Sequence, residues 1–409
     1  MHSFTFWMIF SPLVVAAVIY PVWSRWIAGA MVSAFSAILF WLVWVWPANE
    51  FWVLGYRLSR IEPWNPSGLS FSISSARTWL LVAYGVLFSV GVLALFFRSY
   101  RRILVWSLVW LASLSALWGS LELRQMFFML SATAAVASIG LAGGLHARGS
   151  WRAMLFPAFS YPLTIVATWY VSRASLNPGD PHPFAYASAL VGAALFPSLM
   201  IFPFHGAFPA IGEESSPPAG FVWFLLWPVA VWSVLIKVHQ NVAWWQALPW
   251  ASWLELSLVG TLLLVVFAGF WQRSPGRVLG YAVLATWALF LQRGAFGIGG
   301  FLLRGSGVGL SALGLVLLKE LPTAVPPGWR RWHVAAGAGM YMAGMVLLVA
   351  GIVQFGEILK AYSLLIYAAA VSVFMGAALT SIAELWPSGF RDCGREFGRL
   401  FSQLRSAGR

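Results

Sequence analysis

The chain has 409 residues, of which 60% are hydrophobic and 9% are charged, and its mean hydropathy is +0.80. This composition exceeds what the core of a soluble domain requires, so the sequence excludes a soluble protein. The net charge of +13 comes mainly from arginines at the ends of apolar segments. That distribution predicts a membrane topology and gives no support to a nucleic-acid-binding face.

Apolar windows of about 17–25 residues, the length that a helix needs to cross a bilayer, recur almost from end to end. We predict an all-α polytopic membrane protein with about 13 transmembrane helices. The predicted spans are 5–23, 27–47, 75–97, 103–120, 123–144, 154–172, 185–203, 219–239, 254–272, 278–296, 299–318, 333–353 and 358–385.

A transmembrane domain of residues 1–387 is expected to precede a cytoplasmic tail of residues 388–409. The tail places phenylalanines and leucines opposite arginines, which is typical of an amphipathic helix lying on the inner leaflet or docking onto a partner subunit. The arginine distribution predicts an amino terminus outside and a carboxyl terminus in the cytoplasm, with the chain in the plasma (inner) membrane.

Cys393 is the only cysteine, which excludes internal disulfides, iron–sulfur ligation and thiolate metal clusters. Asp180 and His182 could ligate a metal, but a solvated turn is the favoured interpretation. The sequence contains no phosphate-binding glycine loop and no nucleophile elbow. We therefore expect no cofactor, no metal and no catalytic site in this chain, and any enzyme activity would belong to its partners.

The longest external loop runs from Pro47 to Ser74. Apolar residues alternate at Leu69, Phe71 and Ile73, which predicts a short strand or hairpin there.

A broken helix is predicted near Pro197, because proline removes a helical hydrogen bond and is tolerated in a membrane only where protein or water satisfies the freed carbonyl. A polar loop with paired glutamates and prolines is expected to follow His205. Gly351 and Gly356 predict a second broken helix near Gly356.

Ionisable groups within apolar segments are costly and mark ion paths or helix–helix contacts. The candidates for a proton path are Glu357, Lys360, Glu122, His205 and Lys237. Glu357 and Lys360 are three residues apart, which favours one helix face and either a proton site or a structural ion pair. His205 could relay protons, or it could hold in place the loop in which it lies.

Several motifs, taken in order, resemble the antiporter-like membrane subunits of respiratory complex I and of Mrp-type cation/proton antiporters. They are the Ile-Phe-Pro-Phe-His run ending at His205, with Pro209, Glu213, Glu214, Pro217 and Pro218 after it, the Ser-Phe-Ser-Ile-Ser-Ser run of residues 70–75, and the Arg-Val-Leu-Gly-Tyr-Ala run of residues 277–282.

The resemblance implies two inverted five-helix repeats, each with a broken helix, and buried charged residues that carry protons at mid-membrane. Here the chain departs from the family. Ser198 stands where the resemblance implies the helix-seven lysine, and Pro228 stands near the helix-eight lysine or histidine. Glu122 matches the helix-five glutamate, but it follows Arg102 by a single span and is expected near a turn.

These features predict a membrane subunit of a complex I-type or related assembly that contributes to proton or sodium translocation, or to its structural coupling. The expected partners are other membrane subunits and the lipid bilayer. Two alternatives stay open: an antiporter-like partner of an inorganic-carbon uptake complex, and an autonomous secondary transporter of a small solute.

Overall fold

The computed structural model describes residues 2–45, 50–53, 56–59, 71–72, 76–94, 100–142, 148–176, 180, 182–293, 298–319, 327–358 and 360–385. The chain forms two compact units. Unit 1 comprises residues 1–261 and 290–294, and unit 2 comprises residues 262–289 and 295–409.

Nearly all of the regular structure is α-helical. The helices are α1 (Phe4–Ile19), α2 (Arg25–Val45), α3 (Arg77–Leu93), α4 (Tyr100–Gly119), α5 (Leu123–Leu141), α6 (Arg148–Ala158), α7 (Ser160–Leu176), α8 (His182–Leu199), α9 (Ala207–Glu214), α10 (Pro217–Asn241), α11 (Trp250–Gly269), α12 (Pro275–Arg293), α13 (Ile298–Lys319), α14 (Pro327–Ile358) and α15 (Ser363–Leu385). Short 3-10 turns lie at Ala243–Ala247 and Lys360–Tyr362.

Each predicted span coincides with a described helix, with α6 and α7 together forming the sixth. Eight spans in the described part of the chain are long and apolar enough to cross a bilayer, and four more are apolar but shorter. The remaining one is α8, which contains Pro197. The prediction of an all-α polytopic membrane protein is therefore confirmed.

Helix α10 lies at the centre of unit 1, where it contacts α3, α4, α5, α8 and α9. Every residue from Pro218 to Leu235 is buried. A helix that is apolar on all sides is stable only when other helices surround it, as they do here. Prolines at the first two helical positions start α10 after Ser216, since these positions need no backbone donor.

Unit 2 is built on the packing of α14 against α13 and α15. The glycine-rich character of α13 lets it approach α14 closely. A Cβ atom added at Gly307 would lie 3.0 Å from the carbonyl oxygen of Gly344, and one added at Gly314 would collide with the backbone of Tyr341. Small residues therefore set this helix spacing, as is usual between membrane helices.

The segment between α2 and α3, predicted to be an external loop, contains a hairpin within residues 50–59. Strands β2 (Glu50–Val53) and β3 (Tyr56–Ser59) pair antiparallel, and β1 (His2–Ser3) pairs parallel with β3. Two residues separate β2 from β3, a spacing that closes a tight hairpin turn. Of the residues predicted as a strand, Phe71 forms an isolated antiparallel bridge to Ser120, and Leu69 and Ile73 lie outside the described residues.

The second predicted helix break is wrong in position. Helix α14 stays helical through Gly356 and ends at Ile358. A glycine inside a helix costs only about 1 kcal/mol relative to alanine, which the packing of a long membrane helix can offset. The chain leaves α14 at the end of a span, and a 3-10 turn beginning at Lys360 leads into α15. The predicted tail, residues 388–409, lies outside the described residues.

Candidate functional site

The helix break predicted near Pro197 is present in unit 1. Helix α8 ends at Leu199, and α9 begins at Ala207. Pro197 lies in the last turn of α8, where it cannot donate a backbone hydrogen bond. Met200 follows with a φ of 54°, a left-handed conformation that ends the helix. Residues 200–206 therefore join two helical segments with irregular backbone.

Neighbouring helices satisfy the backbone groups that this break frees. The indole N–H of Trp227 on α10 donates to the carbonyl of Ser198 over 3.3 Å. The backbone N–H of Phe202 donates to Oγ1 of Thr261 on α11 over 3.0 Å. Irregular backbone persists at membrane depth only when protein or water meets its polar groups, and here side chains of two helices do so.

His205 lies in this break and is half-buried. Its ring stacks near Phe202, with the ring centroids 6.2 Å apart. Its buried Nδ1 makes no hydrogen bond of good geometry to a described residue. Arg152 on α6 donates to the carbonyl of Gly206, next to the histidine, over 3.3 Å. His205 therefore lies in the break close to a basic side chain, and both of its possible roles, proton relay and loop fixing, stay predictions.

The segment predicted as a polar loop after His205 is instead the short helix α9. Glu214, its last residue, accepts a hydrogen bond of 2.7 Å from the backbone N–H of Gly149 at the start of α6. Carboxylates are favoured at helix amino termini because they pair with free N–H groups and with the positive end of the helix dipole. The glutamate therefore links α9 to α6.

The two positions at which the resemblance implies titratable residues are neutral and buried. Ser198 donates its hydroxyl to the carbonyl of Ala194 within α8, over 3.0 Å. Pro228 lies in the buried part of α10. That helix carries no ionisable side chain from Pro217 to Ile236. The centre of unit 1 is thus lined by neutral groups along α10.

Lys237 lies near the carboxyl end of α10 and is half-buried. Its ammonium Nζ donates to the carbonyl of Ser120 over 3.1 Å and also to the carbonyl of Trp118. These carbonyls belong to the end of α4, where helical carbonyls have no partner within the helix. A cation at a helix carboxyl terminus is stabilised by the dipole as well. Lys237 is therefore a helix cap in this structure.

Glu122 occupies the turn between α4 and α5, as expected. It is the amino-terminal cap residue of α5, it is exposed, and its side chain makes no capping hydrogen bond. The fold brings it to the same end of unit 1 as Lys237, which bonds the carbonyl two residues earlier at Ser120.

Glu357 and Lys360 do not share a continuous helix face. Helix α14 ends at Ile358, and the lysine begins the 3-10 turn, where it is exposed. The most apolar part of α14 is Trp332–Gln354, so both residues follow the span. The side chain of Glu357 lies outside the described residues, and a role in proton conduction stays a prediction.

Arg304 is a buried cation that the sequence analysis missed. Its guanidinium carbon lies 6.0 Å from the ring centroid of Trp287 within unit 2, and the residue is 6% exposed. Arg304 lies inside α13, within the predicted span 299–318.

Comparisons with known proteins agree with the fold. No protein-family model and no curated protein matches the sequence. A chain of the archaeal membrane-bound sulfane sulfur reductase, a respiratory membrane complex, matches 93% of this chain and 88% of its own length, with a TM-score of 0.64 and 13% identity. A chain of respiratory complex I from Thermus thermophilus matches 93% and 88%, with a TM-score of 0.61 and 17% identity.

A chain of the Mrp complex from a Dietzia species is also similar, covering 93% of this chain and 79% of its own length, with a TM-score of 0.60 and 13% identity. At these identities the likeness establishes the fold alone. The chain is an integral, multi-pass membrane protein. Its fold is that of the antiporter-like membrane subunits, as the sequence motifs indicated.

Proposed function

We propose that this chain is a membrane subunit of a multisubunit assembly, in which unit 1, with its neutral buried stretch of α10, serves structural coupling and does not conduct protons. The observation that carries the proposal is the buried, unionisable course of α10 from Pro217 to Ile236. A proton path needs groups that exchange protons, and the buried hydroxyl of Ser198 is bonded within its own helix.

The support for a multisubunit assembly comes from the complexes in which chains of this fold occur. The similar chains come from complexes that are described as a respiratory membrane complex, as respiratory complex I and as an Mrp complex. A chain of the same fold is suited to the same kind of lateral contact between helices in a membrane. Other membrane subunits are therefore the partners that we propose.

Purification in mild detergent through a carboxyl-terminal tag tests this proposal. We expect other membrane subunits to co-elute in fixed ratio, and their bound cofactors to identify the reaction that the assembly carries out. A monodisperse protein that elutes alone would overturn the subunit proposal and favour the autonomous transporter.

We also propose an orientation with the amino terminus outside and the carboxyl terminus in the cytoplasm. The arginines that end apolar segments on the predicted inner side support it. Two of these arginines bind backbone carbonyls just after a helix. Arg101 donates to the carbonyl of Val22, after α1, over 3.0 Å, and Arg102 donates to the carbonyl of Ala142, after α5, over 2.9 Å.

A further inference from the structure

Helices α5 and α7 pack side by side in unit 1 and run in opposite directions. Nε of Arg124 on α5 donates to Oγ1 of Thr168 on α7 over 2.9 Å. The rings of Phe128 on α5 and Tyr161 on α7 lie 5.3 Å apart. Residue numbers therefore rise along α5 where they fall along α7, so the start of α5 and the end of α7 lie at the same end of unit 1.

Two arginines contact consecutive residues of α7 at this end. Arg124 bonds Thr168, whose own hydroxyl donates to the carbonyl of Ile165 over 2.8 Å. Arg173, in the last turn of α7, places its guanidinium carbon 5.5 Å from the ring centroid of Trp169. Both arginines are exposed. Two guanidinium groups are thus anchored to one turn of α7.

Neither helix electrostatics nor topology explains Arg124. It lies in the first turn of α5, where the helix dipole favours an anion. Under the proposed orientation this end faces the outside, whereas positive residues concentrate on the cytoplasmic side. Its two terminal nitrogens make no hydrogen bond within the part of the chain that the structure describes. Glu122 is exposed, and an exposed carboxylate stabilises a neighbouring cation only weakly.

Exposed apolar side chains continue from the arginines towards the middle of the two helices. Phe128 follows Arg124 by four residues, and Ile165, Trp169 and Arg173 are also spaced by four, so each set lies on one side of its helix. Phe128, Ile165 and Trp169 are all exposed. We name these five residues the α5–α7 face. Its charges lie at the helix ends, and its hydrocarbon lies farther in.

We propose that the α5–α7 face binds an anionic phospholipid. A phospholipid has the same order of groups, with an anionic phosphate outside and acyl chains inside. Guanidinium groups bind phosphate oxygens through charge-assisted hydrogen bonds. The Trp169 ring suits the headgroup level, and Phe128 and Ile165 supply apolar contacts for an acyl chain. The inference does not depend on the proposed function, because a lipid can bind the chain alone or within an assembly.

Native mass spectrometry of the purified full-length chain, with any subunits that co-elute, tests this site. The protein in detergent is titrated with phosphatidylglycerol, which is anionic, or with phosphatidylcholine, which is zwitterionic. We expect tighter binding of phosphatidylglycerol. Arg124→Gln and Arg173→Gln should each weaken that binding about fivefold, and the double variant about 25-fold. Glycerol phosphate, which has no acyl chain, should not displace the lipid.

Arg273→Gln is the matched control, because Arg273 is an exposed arginine between α11 and α12 and the change in charge is the same. This variant should bind phosphatidylglycerol as the unmodified protein does. The effect of salt tests the site without any substitution, since binding should weaken as the ammonium acetate concentration rises.

Four outcomes would overturn the inference. They are equal affinity for the two lipids, salt-independent binding of phosphatidylglycerol, displacement of the lipid by glycerol phosphate, and a double variant that binds as tightly as Arg273→Gln. A cryo-EM map of a co-purified assembly in which another subunit covers Arg124 and Trp169 would also overturn it, because the face would then be a protein contact.

Discussion

Lys237 on α10 donates from its ammonium to the carbonyl of Ser120 at the α4–α5 turn, over 3.1 Å. The two residues are 117 positions apart in the sequence. The bond gives a partner to a carbonyl that the end of a helix leaves free, and it assigns a structural role to a lysine that the sequence marks as a proton carrier.

Substitution of Lys237 separates capping from proton transfer. Lys237→Met should destabilise the protein by about 1.5–3 kcal/mol, because hydrogen bonds to a charged donor are lost. Lys237→Arg should keep most of the stability and all of the transport activity of the assembly. Arginine caps carbonyls but does not release its proton. A Lys237→Arg protein that is stable but inactive in proteoliposomes would make this lysine a proton carrier after all.

Close packing between α13 and α14 predicts a position-specific effect of added methyl groups. Gly344→Ala should destabilise the protein by about 1–3 kcal/mol, because the new Cβ would collide with the backbone of Ser311. Gly339→Ala, on the same helix, is the control. A Cβ there has no heavy atom within 4 Å, so that variant should be neutral or slightly stabilising. Thermal unfolding in detergent gives both values, and equal effects would contradict the packing.

The single cysteine allows the proposed orientation to be measured without engineering. A membrane-impermeant maleimide should label Cys393 in inverted vesicles and leave it unlabelled in right-side-out vesicles, because segments rich in arginine are generally retained in the cytoplasm. Cys393→Ser supplies the background signal. Labelling in right-side-out vesicles alone would reverse the topology.

The positions of Glu357 and Lys360 at the end of α14 predict that proton pumping survives neutralisation of this pair. Purified assembly carrying Glu357→Gln and Lys360→Met should acidify proteoliposomes at the rate of the unmodified assembly. The reason is that α14 ends between the two residues and Lys360 is exposed. Loss of pumping from an assembly that is otherwise intact would identify this pair as a proton path.

The hydrogen bond between α6 and α9 is testable through Glu214. Glu214→Gln keeps one acceptor oxygen but removes the charge that faces the amino terminus of α6. We expect a loss of about 0.5–2 kcal/mol, the range for cap substitutions. Glu214→Asp keeps the charge on a shorter side chain and should lose less if the dipole dominates. Equal stability of all three proteins would show that the contact contributes nothing.

Sequence patterns located the spans, the break after Pro197 and the turn position of Glu122, because each depends on local properties. Span length follows from bilayer thickness, and proline disrupts a helix wherever it removes a donor. The same reasoning failed at Gly356, since glycine permits a break without requiring one. It also missed the hairpin of β2 and β3, because the apolar residues of β2 do not alternate with polar ones and pairing with β3 forms the hairpin.

The sequence alone determined that this is a polytopic membrane protein with a broken helix near Pro197 and neutral residues at Ser198 and Pro228. Hydropathy, span length and residue type suffice for those conclusions. Only the tertiary structure decided that Lys237 caps α4 and that Arg304 is buried beside Trp287. These outcomes depend on which distant backbone or side chain lies within a few ångströms, and helix packing alone sets that distance.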